Sequence, residues 1–514
     1  MRTAIIGGGI AGLAAAYELE RARAAGADVE YTLFESRDRL GGSLSSEIVD
    51  GTVLERGPDS FLTEKPAGIE LCRELGLGEQ LTPSNDAERK TYILVKNRMV
   101  ALPDGLMFLV PTKLVPTALT PLFSIKTKIK MGLELLHPPR PTGLPDESVA
   151  ALVSRHFGAE AVDRLADPLL SGIYGGDAAQ LSARTVLPKL VEMESEYGSL
   201  TRGMLAAHQK MAAKAREAAQ QKRNGAGAGN GGAAGGGPGS DQSAKRAART
   251  IFTTLKGGMQ QLVDALVAKI KPEWLRLGTA VSALEKTATG WVVEAGGIRE
   301  SYDAVIVCSQ AWAAGALLRG VDQELSEGLV GIPYSSSITL NLVYDEKKLP
   351  RLPDGFGFLV PASEGRAMLA CTFVHRKFLG RTAPGKAVLR AFLGGMKNEA
   401  LLTEPDEVLV ETARREFKEI LGITAEPEHV QVSRWKRAMA QYAVGHQERV
   451  KHVHERVATL PGLKLAGNAY DGIGIPDCIR LGRTAAQEVV ASQRVCESGG
   501  WLRRQAFQSS SRAF

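Results

Sequence analysis

Cysteine is scarce in this chain. Five residues, Cys72, Cys308, Cys371, Cys478 and Cys496, are scattered through 514, and none forms a CxxC pair. That spacing excludes a disulfide scaffold and a cysteine-bound zinc site, and it points to a reducing compartment, the cytoplasm. Long apolar runs are also lacking. No stretch reaches the roughly 18 uninterrupted residues of a transmembrane helix, so no spanning segment is expected. Charge of one sign is not in excess either. The formal net charge of +6 is small for this length and gives no footprint for nucleic acid. Histidine is sparse, and the close pair His452 and His454 would diverge on a helix, which favours surface positions over a shared metal. The start of the chain, Arg2 followed by an apolar stretch to Ala16, is laid out like a secretory leader. Gly7, Gly8, Gly9 and Gly12 would break its helix, so a leader is not expected there.

What is present is an ordinary globular composition, 44% hydrophobic and 23% charged, which excludes wholesale disorder. The length suits about three domains or one interwoven unit. Thr3-Ala4-Ile5-Ile6 reads as a strand, Leu13 to Ala25 as a helix stopped by Gly26, and Val29 to Phe34 as a second strand. The middle, roughly 85 to 250, is richer in helical patterns and broken by prolines. Within it, Leu106 to Val110 and Pro111, Pro116 and Pro121 precede Lys126, Lys128 and Lys130. That order fits either a proline-broken helical cap with a solvated basic face or a membrane-facing surface. Lys210 to Arg223 reads as an exposed helix, and residues 224–243 are too rich in glycine to repay their ordering entropy. Beyond Thr250 mixed α/β patterns return: a helix over Gln260 to Ile270, strands over Arg276 to Val281 and Trp291 to Ala295, and the nearly all-apolar strand Asp303 to Cys308. A late strand over Lys464 to Asn468 and a helix over Arg480 to Val495 follow.

The chemistry-bearing motif is Gly7-x-Gly9-x-x-Gly12, with Gly8, Ile10 and Ala11 between. In a strand–turn–helix the first glycine allows the tight turn, the second lets backbone approach a pyrophosphate, and the third lets helix and strand pack closely. The helix N-terminus then offers free N–H groups to phosphate. Glu35 lies 23 residues beyond Gly12 at the end of the second strand, where a carboxylate can accept both ribose hydroxyls. Leu40-Gly41-Gly42 and Gly57-Pro58-Asp59-Ser60 add two further close-packing backbone segments.

Gly7 to Gly12, Glu35-Ser36-Arg37 and Leu40-Gly41-Gly42 together resemble the flavin-containing amine oxidase superfamily. Five later segments narrow the resemblance to the bacterial oxygen-dependent porphyrinogen oxidases. They are Glu55 to Phe61, Asp167 to Asp177, Leu255 to Gln260, Gly355 to Pro361 and Ala466 to Ile479. The resemblance implies an α/β fold, with a Rossmann-type FAD-binding domain interleaved with a mixed-sheet substrate domain and a helical, membrane-facing domain. The expected boundaries are 1–85, 250–310 and 441–495 for the FAD parts and 86–223 for the helical domain. Residues 224–249 form a flexible insert, 311–440 the substrate domain and 496–514 a tail.

It further implies FAD at Gly7, Gly8, Gly9, Ile10, Ala11, Gly12, Glu35, Ser36, Gly42, Ser43, Gly57, Pro58, Asp59 and Ser60. Val281 at a strand end, Trp435, and Ile473, Gly474 and Ile475 at a helix start complete that set. A helix N-terminus near the pyrimidine end would stabilise an anionic reduced flavin. Gly175, Leu359 and Phe392 would line a porphyrinogen slot, although ordinary core is the competing reading of Leu359 and Phe392. The family places an arginine at the position that Thr91 occupies here, so Arg89 or Lys90 would anchor a propionate instead. The activity implied is a six-electron oxidation of a porphyrinogen to a porphyrin in haem biosynthesis, with oxygen as acceptor and hydrogen peroxide formed. No separate acid–base residue is required, because the flavin carries the difficult chemistry.

Coproporphyrinogen III, with four propionates, is favoured over protoporphyrinogen IX, with two. The basic residues Arg89, Lys90, Lys96 and Arg98 suit the more anionic substrate. Ferrochelatase and the inner face of the membrane are the expected partners. An amine oxidase, a carotenoid desaturase and a non-catalytic flavoprotein remain as alternatives that share the nucleotide motif.

Overall fold

The computed structural model describes residues 1–107, 109–225 and 250–510. Phe108 and nearly all of the glycine-rich insert lie outside them.

Five parallel strands form one sheet in the order Leu275–Arg276, Glu30–Phe34, Arg2–Ile6, Ala304–Val307, Leu463–Leu465. They come from three distant parts of the chain. Both faces are covered, which explains the near-continuous apolar runs. On one face Ile5 and Leu33 pack against Leu13 and Leu19 of the helix Ile10–Ala24, Leu262 of the helix Gln260–Val267 and Ile479 of the last helix. Full burial of each such side chain contributes about 1.5–3 kcal/mol. On the other face Ala4, Ile6 and Phe34 meet Trp291 and Val293 of an antiparallel meander, Val281–Lys286, Trp291–Ala295 and Ile298–Tyr302.

A second sheet has seven strands. Their order is His429–Ala440, Tyr334–Asp345, Lys386–Gly394, Met368–Phe373, Gly357–Leu359, Thr91–Val95, Arg98–Ala101. All neighbours are antiparallel except Gly357–Leu359 with Thr91–Val95. Ile338, Leu340, Leu342 and Tyr344 point to one face, against Leu409, Ala413 and Phe417 of the helix Asp406–Leu421. The other face meets the hairpin Ser46–Val49/Thr52–Glu55, with Val343 against Leu54 and Asn341 donating to the Glu55 carbonyl. A helical layer, from Leu114–Leu119 through Ile125–Leu133, Val149–Phe157, Asp167–Tyr174 and Pro188–Tyr197 to Leu200–Gly225, has its own core around Leu152, Phe157 and Leu165.

Several expected boundaries are corrected. The first helix begins at Ile10, inside the glycine motif, because the motif is itself the helix entry. The strand expected over Arg276 to Val281 is two strands. Gly278 takes a left-handed turn at φ +60°, and N–H groups of Gly278 and Thr279 bond the carbonyls of Arg37 and Glu35. Val281 therefore opens a strand and does not end one. The late strand is shorter, Leu463–Leu465. The last helix runs Ile475–Ser510, through the stretch expected as a tail, and starts five residues early on Asp477 in its first turn. The helix expected over Lys210 to Arg223 is the second half of Leu200–Gly225. His452 and His454 are exposed on either side of buried Val453, as the surface reading requires.

Candidate functional site

The glycine loop joins the first strand to the first helix. Gly7 holds φ +108°, and a Cβ on Gly12 would lie 1.9 Å from the Gly7 carbonyl oxygen, so the turn closes on glycine alone. The helix Ile10–Ala24 has Gly9 as its N-cap, no side-chain cap and no acid in its first turn. Its orphan N–H groups face a narrow cleft in which a Cβ on Gly42 would lie 3.0 Å from Gly9 Cα. An uncapped, acid-free helix start beside close backbone fits a pyrophosphate. Glu35 closes the second strand. Its carboxylate accepts from Gly8 N at 2.7 Å, Arg37 N at 3.0 Å and Ser36 Oγ at 3.3 Å. Val281 lies two residues past Thr279, which bonds the Glu35 carbonyl, and so joins this nucleotide end.

The other end is built around the carbonyls of Glu55, Arg56 and Gly57. Trp435 Nε1 and Thr339 Oγ1 donate to the Arg56 carbonyl at 2.9 and 2.7 Å, and Asn341 Nδ2 donates to that of Glu55 at 2.9 Å. Gly57 packs so tightly on the Ser43 carbonyl that a Cβ would lie 1.8 Å from its oxygen and 3.4 Å from the Trp435 ring. Ser43, Gly57 and Trp435 are therefore one corner. Asp59 beside it is paired with Lys377 at 3.0 Å and lies 3.8 Å from Arg390. Burial pushes its carboxyl up, but the Lys377 ammonium and Arg390 guanidinium outweigh that and hold it well below the usual range. Ser60 donates to Asp59 at 2.7 Å, and Pro58 lies between the two paired segments.

Ile473, Gly474 and Ile475 lead into the last helix, as expected. Asp477 accepts from Gly474 N at 3.2 Å and from Lys65 Nζ at 2.5 Å. This carboxylate absorbs part of the positive potential that the helix start would otherwise offer a flavin, and Lys65 returns a cation to the same spot.

The slot residues come together through strand register. Ser433, Thr339, Phe392, Ala370, Leu359 and Ile93 are successive partners across six strands of the seven-stranded sheet, so they share one face. It is the face on which Thr339 reaches Arg56. Leu359 meets the helix Asp167–Tyr174, since a Cβ on Gly172 would lie 3.2 Å from Leu359 Cδ2. Gly175 ends that helix at φ +57°, with its Cβ position 3.0 Å from Ser335 Oγ. Phe392 and Leu359 are half-buried, and Leu359 also packs against the core of the helical layer.

Arg390 sits one row away. It is 3% exposed, its guanidinium stacks 5.0 Å from the Phe392 centroid, it donates to the Gly57 carbonyl, and its Nε has no partner among the described residues. Sequence reasoning missed it, along with Lys377, Asn341 and Asp477. A cation two residues before an aromatic on one strand face was the available signal.

Arg89 and Lys90 do not join the slot row. Both are exposed ahead of the strand Thr91–Val95, with Arg89 4.0 Å from Asp86. Nor do the four expected cations form one patch. Lys96 and Arg98 lie at the opposite end of the hairpin, about 17 Å away at strand spacing.

The chain is similar to known proteins along nearly its whole length. Residues 10–490 match the family described as flavin containing amine oxidoreductase. The chain is 31% identical over 489 residues to the coproporphyrinogen III oxidase of Bacillus subtilis, covering 95% of this chain and 97% of that one. It is 27% identical to protoporphyrinogen oxidase 2, chloroplastic/mitochondrial, of Arabidopsis thaliana, covering 97% and 95%. A crystal structure from Exiguobacterium sp. 255-15, provisionally named a protoporphyrinogen oxidase, superposes with a TM-score of 0.79 at 30% identity, covering 96% and 99%.

Proposed function

We infer the function of this protein from its family: the chain belongs to the flavin containing amine oxidoreductases, and within them it oxidises a porphyrinogen to a porphyrin in haem biosynthesis. The reading rests above all on the shared face of Phe392, Ala370 and Leu359. It is an apolar wall three strands wide, on the face where Thr339 reaches the Gly57–Trp435 corner. The substrate loses six electrons and six protons in three two-electron steps, and three oxygen molecules become three of hydrogen peroxide. FAD, when bound, supplies the two-electron acceptor and its reoxidation by oxygen.

The residues have separate tasks. Gly7, Gly8, Gly9, Ile10, Ala11 and Gly12 would hold the pyrophosphate, with Glu35 on the ribose and Val281 at the adenine. Gly42, Ser43, Gly57 to Ser60 and Trp435 would hold the flavin side, with Ile473 to Ile475 along its edge. Phe392 and Leu359 would stack on the macrocycle against the backbone of Gly175, excluding water from the transferring carbon. Arg89 and Lys90, exposed and off the slot row, would meet a propionate only where it projects beyond the strand Thr91–Val95.

Coproporphyrinogen III is the preferred substrate, supported by the names of relatives 29–34% identical to this chain. The test is anaerobic reduction of the flavin by coproporphyrinogen III and protoporphyrinogen IX side by side, then porphyrin fluorescence on admitting air. Rapid bleaching by the first alone is the expected result. Bleaching by neither, in protein that carries FAD, would overturn the reading.

Peripheral contact with the inner face of the cytoplasmic membrane, and hand-over of the porphyrin to ferrochelatase, belong to the same proposal. No helix among the described residues is long and apolar enough to cross a membrane. Leu119, Ile125 and Leu136 are instead 78%, 76% and 75% exposed, with Val115, Ile129 and Leu133 beside them and Lys126 and Lys128 on the same helix. Apolar side chains interleaved with cations suit an anionic bilayer surface.

A further inference from the structure

Two adjacent residues with no assigned role lie between the two halves of the site. Gln441 and Tyr442 directly follow the strand His429–Ala440 and are 2% and 4% exposed. Their backbone is pinned on both sides: Gln441 N donates to the Pro333 carbonyl at 2.9 Å, and the Tyr442 carbonyl accepts from Ser182 N at 2.7 Å. Their side chains serve different walls. Gln441 Nε2 donates to the Tyr174 carbonyl at 2.7 Å and to Ser335 Oγ at 2.9 Å, and Ser335 Oγ donates to the same carbonyl at 3.0 Å. That carbonyl belongs to the peptide that leads into Gly175. The Tyr442 hydroxyl donates to the Asn468 carbonyl at 3.0 Å and accepts from Gly472 N at 2.9 Å. It closes the loop that delivers Ile473, Gly474 and Ile475.

The Tyr442 ring is itself held, stacked on His446 at 4.1 Å and 18° and lying 6.3 Å from Tyr174. Burial depresses the His446 imidazole to about 4, so the stack joins two neutral rings at neutral pH. The two walls are also neighbours electrostatically. Burial first, and the Asp477 carboxylate second, push the Tyr174 phenol up to about 12.

We propose that Gln441 and Tyr442 are positioning residues that set the spacing between the porphyrinogen wall at Tyr174–Gly175 and the flavin segment at Gly472–Ile475. The inference rests on the porphyrinogen reading above and deepens it. Transfer of two electrons from carbon requires near-contact geometry, and an error of about 1 Å costs about a hundredfold. Two consecutive residues on one pinned backbone have little freedom to change their relative reach. Each acts through a main-chain group, so neither is a catalytic residue.

The test uses the full-length, FAD-loaded protein. Tyr442→Phe keeps the ring and removes the hydroxyl. It is expected to retain FAD, shift the visible flavin spectrum and slow anaerobic bleaching by coproporphyrinogen III about tenfold, with the Michaelis constant unchanged. Gln441→Leu is expected to leave the flavin spectrum alone and raise the Michaelis constant several-fold. Tyr344→Phe removes a buried hydroxyl on the far face of the seven-stranded sheet and serves as a control expected to match wild type. Variants that lose only thermal stability, with spectra and bleaching kinetics like wild type, would overturn the proposal. If Tyr442→Phe loses FAD altogether, the Michaelis constant of Gln441→Leu decides, and an unchanged value overturns it. A wild-type protein that no porphyrinogen bleaches would overturn the substrate reading instead, and the flavin spectrum of Tyr442→Phe would still judge the clamp.

Discussion

Single residues in this site are constrained to different degrees, and the glycine loop shows it. A Cβ on Gly12 would collide with the Gly7 carbonyl oxygen at 1.9 Å, whereas one on Gly9 would stand 3.9 Å from Gly42 Cα. Gly12→Ala should therefore lose both FAD and soluble protein. Gly9→Val should keep the fold but fill the pyrophosphate cleft, giving folded protein without flavin. Flavin absorbance per chain and thermal melting separate the two, and full flavin content in Gly9→Val would refute the cofactor assignment. Phe392 carries a different load. Its ring faces the slot and also caps the buried Arg390 guanidinium at 5.0 Å. Phe392→Ala should weaken porphyrinogen binding by roughly three- to tenfold, the value of one lost stacking contact of about 0.5–1.5 kcal/mol. Measured as the Michaelis constant, an unaltered value would return Phe392 to ordinary core.

Whole elements are held by a buried ionic cluster that the composition does not advertise. His156 on the helix Val149–Phe157 bridges Glu134 and Glu194, each at 3.0 Å, and Glu194 also receives Arg155 at 2.8 Å and Arg140 at 3.5 Å. Glu134 accepts in turn from Ser199 Oγ at 2.8 Å and Leu200 N at 2.6 Å. Four helical segments meet there. Burial would lower the His156 imidazole, but its hydrogen bonds to the two carboxylates prevail and raise it above 6.5. Burial would raise Glu194, but His156 and Arg155 hold it down at about 2. The raised histidine stabilises fully below its unfolded value and loses that contribution as pH rises through its folded value. The depressed carboxylate contributes above its unfolded value of about 4.5 and loses it as pH falls toward 2. The cluster is thus complete between about pH 4.5 and 6.5. Urea midpoints should fall from pH 6 to 9 in wild type. His156→Gln should be less stable at pH 6 by about 3 kcal/mol and lose that part of the slope. Parallel pH curves for the two proteins would dissociate His156 from the effect.

At the scale of the molecule, the helical layer presents an apolar surface that no other part of the described chain covers. Ile125, Ile129 and Leu133 recur along one helix at a spacing of four, while Thr127 and Met131 of the same helix point inward. One row turned inward and a second apolar row turned outward on one short helix fit a surface for a bilayer better than a face awaiting a core. Ile125→Glu combined with Leu136→Glu should reduce sedimentation with anionic vesicles and leave activity on dissolved porphyrinogen intact. Equal sedimentation of the double variant and wild type would remove the membrane from the proposal. Salt should weaken wild-type binding, since Lys126 and Lys128 contribute through screened attraction.

The glycine loop and its strand-end acid were legible in the first 35 residues. Gly7 to Gly12, the first helix and Glu35 lie within 35 residues, and turn geometry, helix entry and a strand-end acid are local properties. The three central parallel strands were legible too, because their apolar runs suit burial on both faces, while the two edge strands were misplaced by a few residues. The flavin corner and the slot are different. Trp435 meets Arg56, and Ile93, Leu359, Ala370, Phe392, Thr339 and Ser433 share one face, because six strands distant in the chain pair in one register. A slip of one residue in any of them would turn its side chains to the opposite face. Strand register, and with it the burial of Arg390, the separation of Arg89 from Lys96 and the reach of Gln441 and Tyr442, is set by packing between segments that no local pattern connects. Which of them meet follows from the packed chain as a whole.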